Sequence, residues 1–302
     1  MLRQLFLASV CALALAGSAL AADLPSRAPA PVIPPPQPTT WTGFYAGVNA
    51  GGSFGGNSAV TTTDYPAYYV DTWNSELVTS SALANTVLGH NKVGFIGGGQ
   101  IGYNYQYDAS WVIGFETDIQ GIAGASSSAS AFGAGVPADF PDETIVSSNV
   151  STQSTQYLGT VRGRLGYLAT PTLLAYATGG LAYGGVKSSA NISQDNLGVF
   201  GADPQAFSSS GNYSGTRTGW VVGGGLEWLF APNWSLKAEY LHYDLGRATY
   251  ALRPPLTYYG GFADALYASA PQASTRFNGN IVRAGISYHF NFDAPAAVVA
   301  KY

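Results

Sequence analysis

Some charged residues of this chain recur at a spacing of two, which places both members of a pair on one face of a β-strand. Glu116 and Asp118 form one such pair, and Arg162 and Arg164 form another. Opposite charges on neighbouring strands attract, so these groups could neutralise each other in ion pairs or line a path for ions. The complete set, which we call the lumen charge network, has five cations and four anions: Glu116, Asp118, Arg162, Arg164, Arg217, Glu227, Lys237, Glu239 and Arg283.

Other patterns that could carry chemistry are weaker. The glycines from Gly97 to Gly102 match a dinucleotide-binding fingerprint, but they lie inside a strand pattern with no helix after it. His90, His242 and His289 are far apart in the sequence, so we expect neither a metal site nor any other cofactor. His242 beside Asp244 is the one hint of a catalytic group, and no further partner is identifiable. The sequence therefore predicts a protein that is not an enzyme.

The composition is typical of a membrane β-barrel rather than a soluble domain. Only 10% of the residues are charged and 46% are hydrophobic, with 38 Gly and 20 Tyr among 302 residues. The apolar residues are spread over short alternating segments instead of long runs. The net charge is −4 and no basic patch is visible, so nucleic acid is not an expected partner.

The N-terminus has the pattern of a secretory signal peptide. Arg3 is the only charge before an apolar segment from Leu5 to Ala16, and small residues allow cleavage after Ala21. We therefore predict a signal peptide over residues 1–21. Residues 22–40 are crowded with proline, which favours polyproline II, and we interpret them as a periplasmic linker that could reach the cell wall.

The rest of the chain contains repeated segments of alternating polarity. In the last of them, Phe277–Phe290, the residues Val282, Ala284 and Ile286 share one face with two terminal aromatics. Seven further segments show the same period of two: Trp41–Phe54, Val93–Gln106, Trp111–Gly121, Tyr157–Leu168, Leu173–Gly185, Thr216–Phe230 and Ser235–Asp244.

Short and long connections between these segments alternate strictly. Three connections have about four residues, as in transmembrane barrels with tight periplasmic turns. Four connections are long: Gly55–Lys92, Ile122–Gln156, Val186–Gly215 and Leu245–Arg276. We therefore predict an all-β fold, an eight-stranded antiparallel transmembrane β-barrel over residues 41–292 in the outer membrane. It would have four long external loops, both termini in the periplasm and a periplasmic tail over residues 293–302.

Aromatic residues cluster at the strand ends beside the short turns, as expected for a girdle at a membrane surface. A soluble lipocalin-like barrel needs no such ring. The predicted girdle consists of Trp41, Tyr105, Trp111, Tyr167, Trp228, Phe230, Trp234, Tyr288 and Phe290. Tyr288 and Phe290 also resemble the signal that the barrel-assembly machinery reads on a closing strand, so we predict that they form the assembly signal.

Several strand motifs resemble a known family. The stretches WTGFYAGVNAGGSFG, GFIGGGQIGYNYQ, GTVRGRLGY, YATGGLAYGGV, GWVVGGGLEW, WSLKAEYLHYDLG and VRAGISYHF are similar to the small porin-like, immunogenic outer-membrane proteins of alphaproteobacteria. The resemblance covers the eight strands and not the loops. It implies a barrel of the OmpA-transmembrane type and no single agreed activity.

These observations predict a structural or porin-like protein with exposed, antigenic loops. The network could be a salt-bridged plug, or inward glycines such as Gly102 and Gly114 could leave a narrow water path. An outer-membrane enzyme and a surface haem binder are the alternatives. The haem ligands would come from His90 and the loop tyrosines Tyr65, Tyr68, Tyr69, Tyr250, Tyr258, Tyr259 and Tyr267. Expected partners are outer-membrane lipid, including lipopolysaccharide, and the barrel-assembly machinery.

Overall fold

The computed structural model describes residues 40–56, 58–65, 75–198, 206–254, 256–259 and 266–290. The predicted signal peptide, nearly all of the proline-rich linker and the tail after Phe290 lie outside these residues. Within the described part, no helix has the length and apolar character needed to cross a membrane.

The described residues form a nearly all-β structure with one helix. Its elements are β1 (Gly43–Phe54), β2 (Ser58–Thr63), α1 (Ser75–Ala84), β3 (Thr86–His90), β4 (Val93–Gln106), β5 (Trp111–Ala123), β6 (Ser126–Gly135), β7 (Glu143–Thr170), β8 (Leu173–Gly198), β9 (Ala206–Ala231), β10 (Trp234–Ala251), β11 (Leu256–Tyr259), β12 (Leu266–Ser269) and β13 (Gln272–Phe290).

The long strands pair into a closed antiparallel ring. Within the described residues the order is β1, β4, β5, β7, β8, β9, β10 and β13, and β13 pairs back to β1. The closing pair runs from Phe44 opposite Phe290 to Phe54 opposite Asn280. Closure gives every ring strand a hydrogen-bonded neighbour on both sides, which a β-structure in lipid requires. The predicted fold class, an antiparallel all-β barrel, is confirmed.

The outward faces of the ring are apolar, as the alternation predicts. Val48, Leu181 and Val282 are exposed, whereas their immediate inward-facing neighbours are mostly polar, small or buried. The predicted girdle residues other than Trp41 lie at the surface beside the short turns. Trp41 is the exception, because it is only 1% exposed and its indole Nε1–H donates to the Pro171 carbonyl at 3.1 Å. Trp41 therefore closes the interior at the short-turn end instead of standing in the lipid girdle.

The prediction of four long loops is wrong in its boundaries. β7 has 28 residues, and β8 and β9 have 26 each, so most of the two segments 122–156 and 186–215 is β-structure. The strands continue because these segments pair with one another, from Glu143 opposite Gly198 down to the ring. Their backbone groups are thereby satisfied beyond the apolar band.

We call the part of the structure beyond the apolar band, at the end opposite the short turns, the distal extension. It comprises β2, α1, β3, β6, residues 143–156 of β7, 186–198 of β8, 206–215 of β9, 245–251 of β10 with Leu252 directly after it, and 272–276 of β13. Helix α1 packs inside it, where the Leu83 carbonyl accepts a hydrogen bond from Asn149 at 3.0 Å. A small apolar core holds the extension together: Val60, Ala84, Ala190, Ile192, Leu252 and Ala273.

Candidate functional site: the charged centre of the barrel

The strand register brings the predicted lumen charges together. Glu116 on β5 lies directly opposite Arg162 on β7, and Glu239 on β10 lies opposite Arg283 on β13. Because side chains alternate along a strand, the neighbours two positions away join the same inward face. Strands from all sides of the ring thus contribute charges to one layer.

Arg162 is the centre of this layer. Its guanidinium contacts Glu116 Oε1 at 2.5 Å, Asp118 Oδ2 at 2.9 Å and Glu239 Oε1 at 2.8 Å. The guanidinium of Arg283 contacts the same Asp118 oxygen at 2.8 Å and Glu239 Oε2 at 2.6 Å. Arg283 Nη2 also lies 3.6 Å from Glu116 Oε1, so the two arginines share three carboxylates, which offsets the repulsion between their own charges.

The remaining members extend the layer towards the short turns. Lys237 Nζ donates to both carboxylate oxygens of Glu116, at 2.9 and 2.8 Å. Arg164 Nη2 donates to Glu227 Oε2 at 2.7 Å. With Arg217 excluded, the network has four cations, on Arg162, Arg164, Lys237 and Arg283, and four carboxylates, so its formal charge is zero.

Arg217 does not belong to the network, which corrects the prediction. It is half-buried, and its Nε donates to the Leu245 carbonyl at 3.1 Å. The residue is on the predicted face, but ten positions separate it from Glu227 on the same strand. That is about 33 Å along a strand, so Arg217 lies in the distal part of the structure.

Two tyrosines that the sequence did not single out complete the network. Tyr45 Oη donates to Glu116 Oε2 at 2.7 Å, and Tyr176 Oη donates to Glu239 Oε1 at 3.1 Å. The Arg164 guanidinium lies 3.9 Å from the centroid of the Tyr176 ring, within the range of a cation–π contact. Both tyrosines occupy inward positions of the alternation, which is the signal that could have identified them.

The glycines on the inward face do not leave open space. A Cβ added at Gly102 would lie 2.4 Å from the Tyr45 ring, and one added at Gly114 would lie 2.9 Å from Arg164 Cγ. Gly102 and Gly114 are therefore required so that these long side chains can lie flat across the neighbouring strands. The space that the sequence suggested for a water path is filled by Tyr45 and Arg164.

Apolar layers enclose the charges on both sides. At the short-turn end lie Trp41, Val112, Leu168, Leu174, Tyr176 and Leu229. On the distal side lies a larger cluster that includes Ile96, Leu158, Val221, Leu241, Phe277 and Ile281. The eight charged side chains are between 0% and 3% exposed, so almost none of their surface faces a water-filled space.

The comparisons with known proteins agree with this architecture. The sequence profile described as "Outer membrane protein beta-barrel domain" matches residues 8–290. The chain belongs to this family. Its relatives include the 31 kDa outer-membrane immunogenic proteins of Brucella melitensis and Brucella suis. Each is 38% identical over 247 residues, which is 82% of this chain and 88% of the relative. The resemblance carried by the strand motifs is thereby confirmed.

Among solved structures, this outer-membrane barrel protein matches OprG of Pseudomonas aeruginosa and Ail of Yersinia pestis. OprG is 7% identical, with 84% of this chain and 100% of OprG covered and a TM-score of 0.37. Ail, the attachment invasion locus protein, is 12% identical, with 80% and 99% covered and a TM-score of 0.25.

The histidines of the outer-membrane barrel are held in hydrogen bonds at separate places. His90 Nδ1 contacts the Ser127 carbonyl at 3.1 Å, and its Nε2 contacts Ser151 Oγ at 2.8 Å. His242 Nδ1 contacts Asn280 Oδ1 at 2.9 Å. The described ranges contain no group of three or more His, Cys, Asp or Glu residues that could hold a metal ion.

The alternative sites are only partly covered by the structure. Asp244 forms an ion pair with Arg276, and the hydrogen bond of His242 Nδ1 goes to Asn280. Of the seven tyrosines named for haem binding, only Tyr65 and Tyr250 have described side chains. Tyr250 is hydrogen-bonded to Ser188 Oγ at 2.9 Å.

Proposed function

We propose that this outer-membrane protein is a closed, non-enzymatic structural barrel that presents its distal extension at the cell surface. The observation that carries the proposal is the enclosed charge network. Its cations and carboxylates are equal in number, are paired at hydrogen-bond distances and are nearly devoid of exposed surface. A barrel with such a centre serves as a rigid membrane anchor rather than as a channel.

A conducting lumen would need a different arrangement. Ions cross a barrel along groups that remain hydrated and can exchange partners. Here Glu116 is held by Arg162, Lys237 and Tyr45 together. Breaking such a buried pair is expensive, because it leaves an uncompensated charge away from water. The porin-like interpretation is therefore the less favoured one.

The surface role is supported by the distal extension and by the relatives. The extension continues the ring strands beyond the apolar band and holds a helix and a core of its own. Tight periplasmic turns and long external segments are the usual topology of such barrels, so we place the extension outside the cell and the chain ends in the periplasm. The relatives are named immunogenic outer-membrane proteins, which supports antigenic segments in this extension.

Thiol labelling of the barrel centre tests whether it is closed. The single cysteine, Cys11, lies in the predicted signal peptide, so an introduced cysteine in the mature chain has no background. Thr160→Cys is suitable, because Thr160 is fully buried and its Oγ1 donates to Asp118 at 2.9 Å. Ala138→Cys, at an exposed position in the β6–β7 connection, is the control.

A charged, membrane-impermeant methanethiosulfonate reagent should modify the Ala138→Cys protein at once. It should modify the folded Thr160→Cys protein only after unfolding in urea. Comparable labelling rates for the two folded variants would show that the centre is open to solutes, and the closed-barrel proposal would be wrong.

A further inference from the structure

The outward-facing cations of the described residues all lie on one side of the ring. They belong to β8, β10, β13 and the residues directly after β10: Lys187, Arg247, Arg253 and Arg276. The described parts of β1, β4, β5 and β7 carry no outward cation, since Arg162 and Arg164 on β7 point inward. An anionic partner would therefore be attracted to this one side of the barrel.

Arg247 and Arg276 form the closest association in this group. They are direct cross-strand partners of β10 and β13, and both are exposed. Like charges in this position repel each other. Asp244, itself nearly buried, forms an ion pair with Arg276 alone. Among the described residues Arg247 has no carboxylate partner, so the pair retains a net positive charge.

A β-bulge aims Arg247 outward. Even-numbered residues of β10 such as Tyr240 face outward up to Asp244, where the register with β13 shifts. Gly246 adopts φ +76°, a conformation that glycine accepts readily, and beyond it the odd-numbered residues face outward. Bulges often re-aim a side chain at a functional position. Without the bulge, Arg247 would point into the barrel.

The pair lies beyond the apolar band, which corresponds to the polar region of the outer leaflet when the distal extension is placed outside the cell as proposed above. Tyr240 and Val282 form the last apolar outward pair of these two strands. Arg276 is six residues further along β13, or about 20 Å along the strand and about 15 Å along the membrane normal at a tilt of roughly 40°. His242 and Asn280 lie between them and form the polar boundary.

We propose that Arg247 and Arg276 bind the anionic inner region of lipopolysaccharide, through its phosphate groups. This inference rests on the proposed placement of the distal extension outside the cell, because lipopolysaccharide occupies that leaflet. Two planar guanidinium groups on adjacent strands can donate several hydrogen bonds to one phosphate. The bound lipid would relieve the repulsion between the two arginines and tie β10 to β13 above the membrane.

Lipid retention by purified protein tests the proposal. The full-length mature protein would be reconstituted in nanodiscs that contain rough lipopolysaccharide. It would then be extracted from them, washed with EDTA and examined by native mass spectrometry. EDTA removes lipopolysaccharide that is bridged by divalent cations, whereas lipid held by arginine should remain. Heat-modifiable gel migration confirms that each variant is folded.

Arg247→Ala is the primary variant because it leaves the Arg276–Asp244 ion pair intact. We expect about a tenfold loss of retained lipopolysaccharide, the size of effect typical of one charge-assisted hydrogen-bonded contact, and loss to background in the double variant with Arg276→Ala. Arg253→Ala, an exposed arginine beyond the end of β10, should retain wild-type levels.

Enzymatically dephosphorylated lipopolysaccharide should be lost from wild-type protein as well. Wild-type retention by folded Arg247→Ala protein would overturn the proposal. Binding to soluble heparin, a soluble polyanion, would be measured alongside. The proposal would also be overturned if Arg247→Ala kept its lipopolysaccharide but lost heparin binding shown by the wild-type protein, since the pair would then serve a soluble polyanion. These outcomes in nanodiscs do not depend on cellular orientation. A tag at Ala138 that is protected in intact cells would contradict the orientation alone.

Discussion

Removal of Arg162 should destabilise the barrel more than removal of any other single cation. Its side chain is fully buried and contacts three carboxylates within 3 Å, those of Glu116, Asp118 and Glu239. In Arg162→Ala the four carboxylates of the centre would face only three cations. An excess negative charge would then be enclosed between the two apolar layers.

The magnitude follows from what each carboxylate retains. Glu116 keeps Lys237 at 2.8 Å, while Asp118 and Glu239 both depend on Arg283, at 2.8 and 2.6 Å. No carboxylate is left entirely without a partner, but one charge is uncompensated and a guanidinium-sized space is vacated. Breaking a buried ion pair costs roughly 3–5 kcal/mol, and we expect the free energy of unfolding to fall by that amount.

Urea unfolding in lipid vesicles, followed by tryptophan fluorescence, measures this loss. Arg217→Ala is the matched control, because Arg217 was predicted on the same inward face but is half-buried and bonded to a backbone carbonyl. Its loss should cost about 1 kcal/mol. If the two variants were destabilised equally, the centre would be hydrated and the argument from burial would fail.

Three further predictions concern assembly, topology and pH. Phe290→Ala, or truncation from Tyr288, should reduce folded protein in outer-membrane fractions because the closing pair of β1 and β13 is weakened; wild-type levels on heat-modifiable gels would contradict this. Tags at Ala138 should be reached by antibody on intact cells, whereas tags at the short turns near Asp108 and Pro171 should be protected; the reverse pattern would invert the topology. Burial lowers the pKa of Lys92, beyond the apolar band, from 10.5 to about 8, so the unfolded chain binds its proton more tightly. The Lys92→Met protein should therefore have a higher free energy of unfolding than wild type at pH 7, by on the order of 3 kcal/mol. This difference should shrink as the pH rises from about 8 to about 10.5, because the wild-type lysine then loses its proton. A pH-independent difference in urea unfolding would refute the prediction.

The faces of the strands could be predicted from sequence because lipid imposes a strict rule on them. Glu116, Arg162 and Glu239 had to point inward, since outward charges at mid-membrane are costly. The same alternation placed Tyr45 and Tyr176 inward, but it gave no sign of their bonds. Tyr45 lies 71 residues from Glu116, and a contact across the lumen leaves no local pattern.

The height of a residue and the ends of the strands were harder to predict. Alternation assigns Arg217 to the correct face, but a face carries no information about height. The ten positions between Arg217 and Glu227 on one predicted strand, about 33 Å, are the signal that separates Arg217 from the charged layer. The polar stretch from Ser147 to Gln156 falls in the predicted long loop Ile122–Gln156, because it lies between two segments with clear apolar alternation. In the structure its side chains Asn149 and Gln153 are buried in the distal extension, where they are hydrogen-bonded. Trp41 has the same parity as the inward-facing Tyr45, so strict alternation would place it inward. The girdle prediction instead rests on its position at a strand end beside the short turns, and the hydrogen bond to the Pro171 carbonyl shows the inward orientation.

Electrical recording in a planar lipid bilayer tests the closed barrel most directly. Refolded wild-type protein, shown to be inserted by its gel migration and by antibody, would be recorded over a range of voltages. The salt would be about 1 M KCl, at which the Debye length is about 3 Å. The enclosed charge network predicts no steady conductance above that of the bare bilayer, and openings in the Arg162→Ala and Arg164→Ala double variant. A stable, ohmic conductance of the wild-type protein in every insertion would contradict the account.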